Sequence, residues 1–109
     1  MESLQFMLSK LYTITHKEEE FFNIKFSDEN HPVFQAHFPS NPLLPGFIML
    51  EICAEVLDHE ICEIKKVKFI TQVKPKDELL FLIRTRENSL HVEVKKDEVK
   101  VAVLIYEKI

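Results

Sequence analysis

The run FIMLEICAEVL (residues 47–57) constrains this chain more than any other stretch. At helical spacing it is apolar on nearly every side, broken only by Glu51 and Glu55, with Asp58 continuing their stripe. A helix of this kind has to be enclosed on most sides by other elements. Pro45 and Gly46 stand at its start, where proline is tolerated and unpartnered N–H groups point outward. The enclosing elements read as strands. FFNIKF (residues 21–26) precedes the helix. After it, SLHVEVK alternates cleanly, with Leu90, Val92 and Val94 on one face. VKVAVLIY places Val99, Val101, Val103 and Ile105 on one face, and ELLFLIRTR is apolar on both faces before it turns polar. Short links at VKPKDE, ENS and KKDE join these runs into an antiparallel meander. The expectation is an α+β fold over a single domain, residues 1–109, with one helix wrapped by a sheet of about five strands.

Composition bounds the function. A chain of 109 residues buries a modest fraction of its surface, so dimerisation is a natural source of further core. A net charge of −4 argues against a nucleic-acid partner, which calls for clustered Lys and Arg. No apolar run reaches the length of a membrane span. The N-terminal residues lack the basic segment and continuous apolar stretch of a signal peptide. Cys53 and Cys62 suit neither a disulfide framework nor a zinc site, and His31 and His37 have no third ligand at a suitable spacing. A cytoplasmic protein without a metal is expected.

HFPSNPLLPG (residues 37–46) then stands out. It holds three prolines and the only glycine of the chain, where a typical composition of ~7% would give seven or eight. Gly46 is explained by a backbone angle that other residues resist, by close approach of another group to its N–H, or by a plain helix-entry turn.

VFQAHFPSNPLLPGFIMLE (residues 33–51) resembles the signature of the hotdog-fold β-hydroxyacyl-acyl carrier protein dehydratases, the FabZ and FabA type. His37, Phe38, Pro39, Asn41, Pro42, Pro45, Gly46 and Glu51 match, with fourteen residues from His37 to Glu51. A weaker match follows in VKFITQVKPKDEL (residues 67–79), and the resemblance covers roughly residues 20–108. It implies a long central helix wrapped by an antiparallel sheet, and a homodimer or trimer of dimers. The active site would lie between subunits, with His from one chain and the acid from the other. The implied reaction eliminates water from a 3-hydroxyacyl thioester on acyl carrier protein, or on coenzyme A, giving a trans-2-enoyl thioester without cofactor or metal.

Under this resemblance His37 takes the proton from the α-carbon and Glu51 supplies one to the leaving hydroxyl. Gly46 and Phe47 bind the thioester oxygen at the helix N-terminus. Phe34, Phe38 and Met49 line an acyl tunnel. The prolines hold His37 in place. The chain departs from the family pattern at Ala36 and Ser40, where glycine is usual, at Glu55, where glutamine is usual, and in the turn KPKD, which lacks glycine. The run of Lys65, Lys66, Lys68, Lys74 and Lys76 reads either as a surface for an acidic carrier protein or as a solvated face. Two other readings stay open: a hotdog acyl thioesterase, in which Glu51 activates water, and a non-catalytic relative that binds acyl groups or a partner subunit.

Overall fold

The computed structural model describes residues 8–36, 42–57 and 61–108. Six strands form one antiparallel sheet: β1 (Tyr12–Lys17), β2 (Phe21–Phe26), β3 (Ile61–Phe69), β4 (Glu78–Arg86), β5 (Ser89–Lys96) and β6 (Val99–Lys108). Their order is β1-β2-β4-β5-β6-β3. Two helices lie between β2 and β3: α1 (Pro32–Ala36) and α2 (Gly46–Leu57). Because β2 is near one edge and β3 is the other edge, the connection between them crosses the whole sheet. That crossing carries α2 over one face.

Period-two alternation decides which face is buried. Phe22, Ile24 and Phe26 of β2, Leu79 and Phe81 of β4, Leu90, Val92 and Val94 of β5, and Ala102, Leu104 and Tyr106 of β6 share one core with α2. Phe22 and Phe81 are cross-strand partners and their rings stack at 4.5 Å. From α2 the core takes Ile48, Met49, Ile52, Cys53 and Val56, a spacing that lies on one helical face. Leu50 and Leu57 are half-buried against it, Phe47 is 49% exposed, and Glu55 is exposed. The apolar helix is thus enclosed on one side by its own sheet, less than the sequence predicts.

Three features differ from the sequence expectation. The sheet has six strands, because YTITHK forms β1, an edge strand whose residues after Tyr12 are all exposed and so carry no apolar signal. The short helix α1 precedes the proline-rich segment of the sequence and buries Val33 and Phe34. In β6, pairing steps from Val94↔Ala102 to Lys95↔Lys100, which leaves Val101 as a bulge. The bulge turns Val101 into the core beside Ala102, breaking the simple alternation. Its carbonyl accepts hydrogen bonds from the N–H of Ile70 (2.8 Å) and Thr71 (3.1 Å), which fixes the segment after β3.

With one glycine, the turns use other residues in the left-handed region. Lys76, Glu87 and Asp97 have φ of 68°, 51° and 55°. The last two lie in the two-residue links between β4 and β5 and between β5 and β6. Lys76 occupies the turn where the family pattern has glycine. There Asp77 compensates, its carboxylate accepting from the Lys74 N–H at 2.8 Å.

Candidate active site

The proline-rich segment of the sequence ends at the start of α2. The Leu44 N–H donates to the Val73 carbonyl (2.8 Å) and the Ile48 N–H to the Pro45 carbonyl (3.0 Å). Helix geometry leaves the N–H groups of Gly46 and Phe47 without an intrahelical acceptor. The partial positive charge of the helix N-terminus falls at the same place. Gly46 has no positive φ, so backbone angle does not explain it. Close packing of a side chain against its α-carbon, and not an approach to its N–H, does. A Cβ at Gly46 would lie 2.7, 2.8 and 3.0 Å from three ring carbons of Phe69. Beside this contact Leu44, Gly46, Met49, Phe69, Ile70 and Val73 line an open cleft of 190 Å³. The segment anchored on the Val101 bulge forms one of its walls.

Glu51 follows Gly46 on α2 by about a turn and a half and is half-buried. Tyr106 reaches the helix from β6 beneath it. Its hydroxyl donates to the Leu50 carbonyl at 3.2 Å. Burial raises the Tyr106 phenol above its ordinary range, with the neighbouring Cys53 thiol and the Glu51 charge adding to the effect. Burial likewise pushes the Cys53 thiol up to about 12, against the opposing hydrogen bond with Tyr106. Both groups are therefore neutral in the physiological range.

Glu55, the second carboxylate of the stripe, is engaged elsewhere. The Tyr12 hydroxyl of β1 donates to its Oε1. Tyr12 is raised above its ordinary range by burial first and by Glu55 second. Lys17 of the same strand donates to the Val56 carbonyl at 2.9 Å, in the last turn of α2. Strand β1 thus holds the C-terminal half of the helix that carries Glu51.

The remaining sequence-predicted residues fall as follows. Met49 is buried and forms part of the cleft wall. Phe34 is fully buried, edge-on to Phe26 at 6.2 Å, and does not line that cleft. Phe47 is half-exposed, one residue into α2. His37 and Phe38 lie outside the described residues, as do Ser40 and Asp58; Ala36, which ends α1, directly precedes His37. The lysine run does not form one patch. Lys65 of edge strand β3 pairs with Glu107 at 2.9 Å, whereas the Lys76 backbone docks on the Ser27 carbonyl beside β2, across the width of the sheet. Among the described residues no three His, Cys, Asp or Glu side chains converge as a metal site, and no helix is long and apolar enough to cross a membrane.

A family model for the ApeI-like dehydratases, described as ApeI dehydratase, matches residues 13–104. The chain belongs to the ApeI-like dehydratase family. This ApeI-like chain is also 33% identical over 96 residues to the 3-hydroxyacyl-[acyl-carrier-protein] dehydratase FabZ of Streptococcus sanguinis, covering 73% of this chain and 69% of that protein. It is 41% identical over 64 residues to the FabZ of Caldicellulosiruptor bescii, a match that covers 47% of this chain and 46% of that one. The chain thus spans less than half the length of several curated relatives that it matches. Among solved structures, the dehydratase heterocomplex ApeI:P from Xenorhabdus doucetiae superposes with a TM-score of 0.74 at 22% identity, covering 88% of this chain and 96% of that one. Mouse thioesterase superfamily member 2 superposes with a TM-score of 0.64 at 11% identity, covering 99% and 98%. Both likenesses concern the fold, an α+β hotdog with a six-stranded sheet.

Three residues around the candidate site escape a reading of the sequence alone. Phe69 explains the lone glycine, Tyr106 underlies the helix beside Glu51, and Tyr12 occupies Glu55. Phe69 has a sequence signal, since it falls in the second matching segment. Tyr12 and Tyr106 have none, because their partners lie 43 and 56 residues away in the chain.

Proposed function

We propose that this protein eliminates water from a 3-hydroxyacyl thioester to give a trans-2-enoyl thioester. The observation that carries the reading is the placement of Glu51, half-buried on the helix whose N-terminus opens at Gly46 onto the cleft, in a chain of the dehydratase family. In the reaction His37 takes the proton from the α-carbon, which the adjoining carbonyl acidifies. Charge develops on the thioester oxygen and is met by the N–H of Gly46, with that of Phe47 beside it and the helix N-terminus behind. Glu51 gives its proton to the departing hydroxyl, and water leaves. The acyl chain runs past Phe38 and Met49, and Phe34 belongs to the core instead.

The thiol carrier is acyl carrier protein, as for the similar 3-hydroxyacyl-[acyl-carrier-protein] dehydratases FabZ; coenzyme A offers the same thioester. The working form is a homodimer. Supporting this are the open edge of β3 and the half-exposed Phe47, Ile64, Phe69 and Ile70 around the N-terminus of α2 and that edge. Within the dimer, His37 of one chain and Glu51 of the other serve one site. Cytoplasm is the compartment, in keeping with the free, buried thiol of Cys53.

The elimination is reversible, so hydration tests it. Given a trans-2-enoyl thioester, the protein should lower the enoyl absorbance, and Glu51→Gln should slow this by roughly a hundredfold or more. Unchanged absorbance over several chain lengths would contradict the proposal.

A further inference from the structure

His31 has no part in the chemistry described so far, yet its ring sits between two backbone groups of fixed polarity. The Val33 N–H can only donate, and it meets Nδ1 at 3.1 Å. The Ser9 carbonyl can only accept, and it meets Nε2 at 2.7 Å. Both contacts are hydrogen bonds only when the ring is neutral with its proton on Nε2. Relative to α1, His31 occupies the cap position, Pro32 the first helical position and Val33 the second. This is where a side-chain acceptor satisfies an otherwise open N–H, and where proline is favoured next.

The helix needs such help. Five residues do not sustain a helix in isolation. The carbonyl of His31 also accepts from the N–H groups of Phe34 (3.0 Å) and Gln35 (3.1 Å), and the Gln35 amide donates to the Glu29 carbonyl at 2.6 Å. Val33 and Phe34 seat the helix in the core. The chain then leaves α1 at Ala36, and the next residue is His37.

We propose that His31 is a positioning residue, its Nε2–H form capping α1 at Val33 and so fixing Ala36, the residue directly before His37. This inference rests on the dehydratase reading. It deepens it by assigning the placement of the base to a second histidine that touches no substrate. A misplaced base slows proton abstraction without altering the cleft at Gly46, so the effect falls on kcat rather than KM.

The test compares His31→Ala with His31→Asn at a temperature where both are shown to be folded. Asparagine is short, but its amide oxygen can take the Val33 N–H as a cap. His31→Ala should lower kcat roughly tenfold with KM within about twofold, and His31→Asn should recover most of the loss. In the unaltered protein, nitrogen chemical shifts of the His31 ring should show the proton on Nε2. An Nδ1-protonated ring, an unchanged kcat in His31→Ala, or equal losses in both variants would overturn the inference while leaving the dehydratase reading intact. Absence of any enoyl formation by the unaltered protein would overturn that reading and this inference together.

Discussion

Gly46→Ala separates the packing role of the lone glycine from its proposed catalytic one. The new methyl would stand 2.7–3.0 Å from three carbons of the Phe69 ring, whereas carbon atoms rest at about 3.5–4.0 Å. The ring must therefore withdraw by about 1 Å. It can, because Phe69 is 48% exposed and the crowded atoms are at the far end of its side chain. Half of a phenylalanine's burial contributes about 1 kcal/mol, and part of that is lost. Against it, alanine at a compatible backbone angle gains about 0.4–1 kcal/mol through the unfolded state. The net change should stay within about 1 kcal/mol by urea melts. In a Phe69→Ala background the clash is absent and only the gain remains, so a double-mutant cycle should show coupling of about 1 kcal/mol. Dehydration, in contrast, should fall by about a hundredfold, because the methyl and the displaced ring crowd the Gly46 N–H. Equal stability changes with and without the Phe69 ring would refute the packing argument. Unchanged activity would refute the role of the N–H.

Other expectations follow from single contacts. Lys76→Gly should stabilise the protein by about 0.5–1 kcal/mol in urea melts, since it relieves a left-handed lysine at φ 68°. Phe34→Ala should cost about 3–5 kcal/mol, as for a core aromatic; a small cost with a changed preference for acyl length would instead place Phe34 in the tunnel. Stability should decline at alkaline pH. The Cys53 thiol is raised from 9.0 to about 12 in the folded protein, so between those values the folded state holds the proton more tightly than the unfolded one. Its contribution is complete below about 9 and is lost as pH rises toward 12, by about 1.4 kcal/mol per pH unit. Tyr106 acts in the same direction from about 10 upward, and Cys53→Ala should flatten the slope of urea midpoints between pH 9 and 11.

Much of the fold could be read from the chain because burial and alternation coincide in β2, β4 and β5. Phe22, Ile24, Phe81, Val92 and Val94 mark their inner face directly. Strand β1 was not legible, since an exposed edge strand has no buried face to reveal it. The Val101 bulge was hidden for a different reason: a run of valine, alanine, leucine and isoleucine looks alike on both faces. At the site, local order in the sequence located Gly46 and Glu51 on one helix. The partners of that helix come from β1, β3 and β6, and only the folded sheet brings Tyr12, Phe69 and Tyr106 to it. The carboxylate stripe of Glu51 and Glu55 was visible, but its division was not. One acid stands by Tyr106, and the other is taken by Tyr12.

The most direct test supplies the purified protein with a 3-hydroxyacyl chain on acyl carrier protein and follows enoyl absorbance and free thiol together. His37→Ala and Glu51→Gln serve as controls. Enoyl product without thiol release, lost in both variants, is the predicted result. Thiol release without enoyl product, or enoyl formation that survives either substitution, would contradict the account.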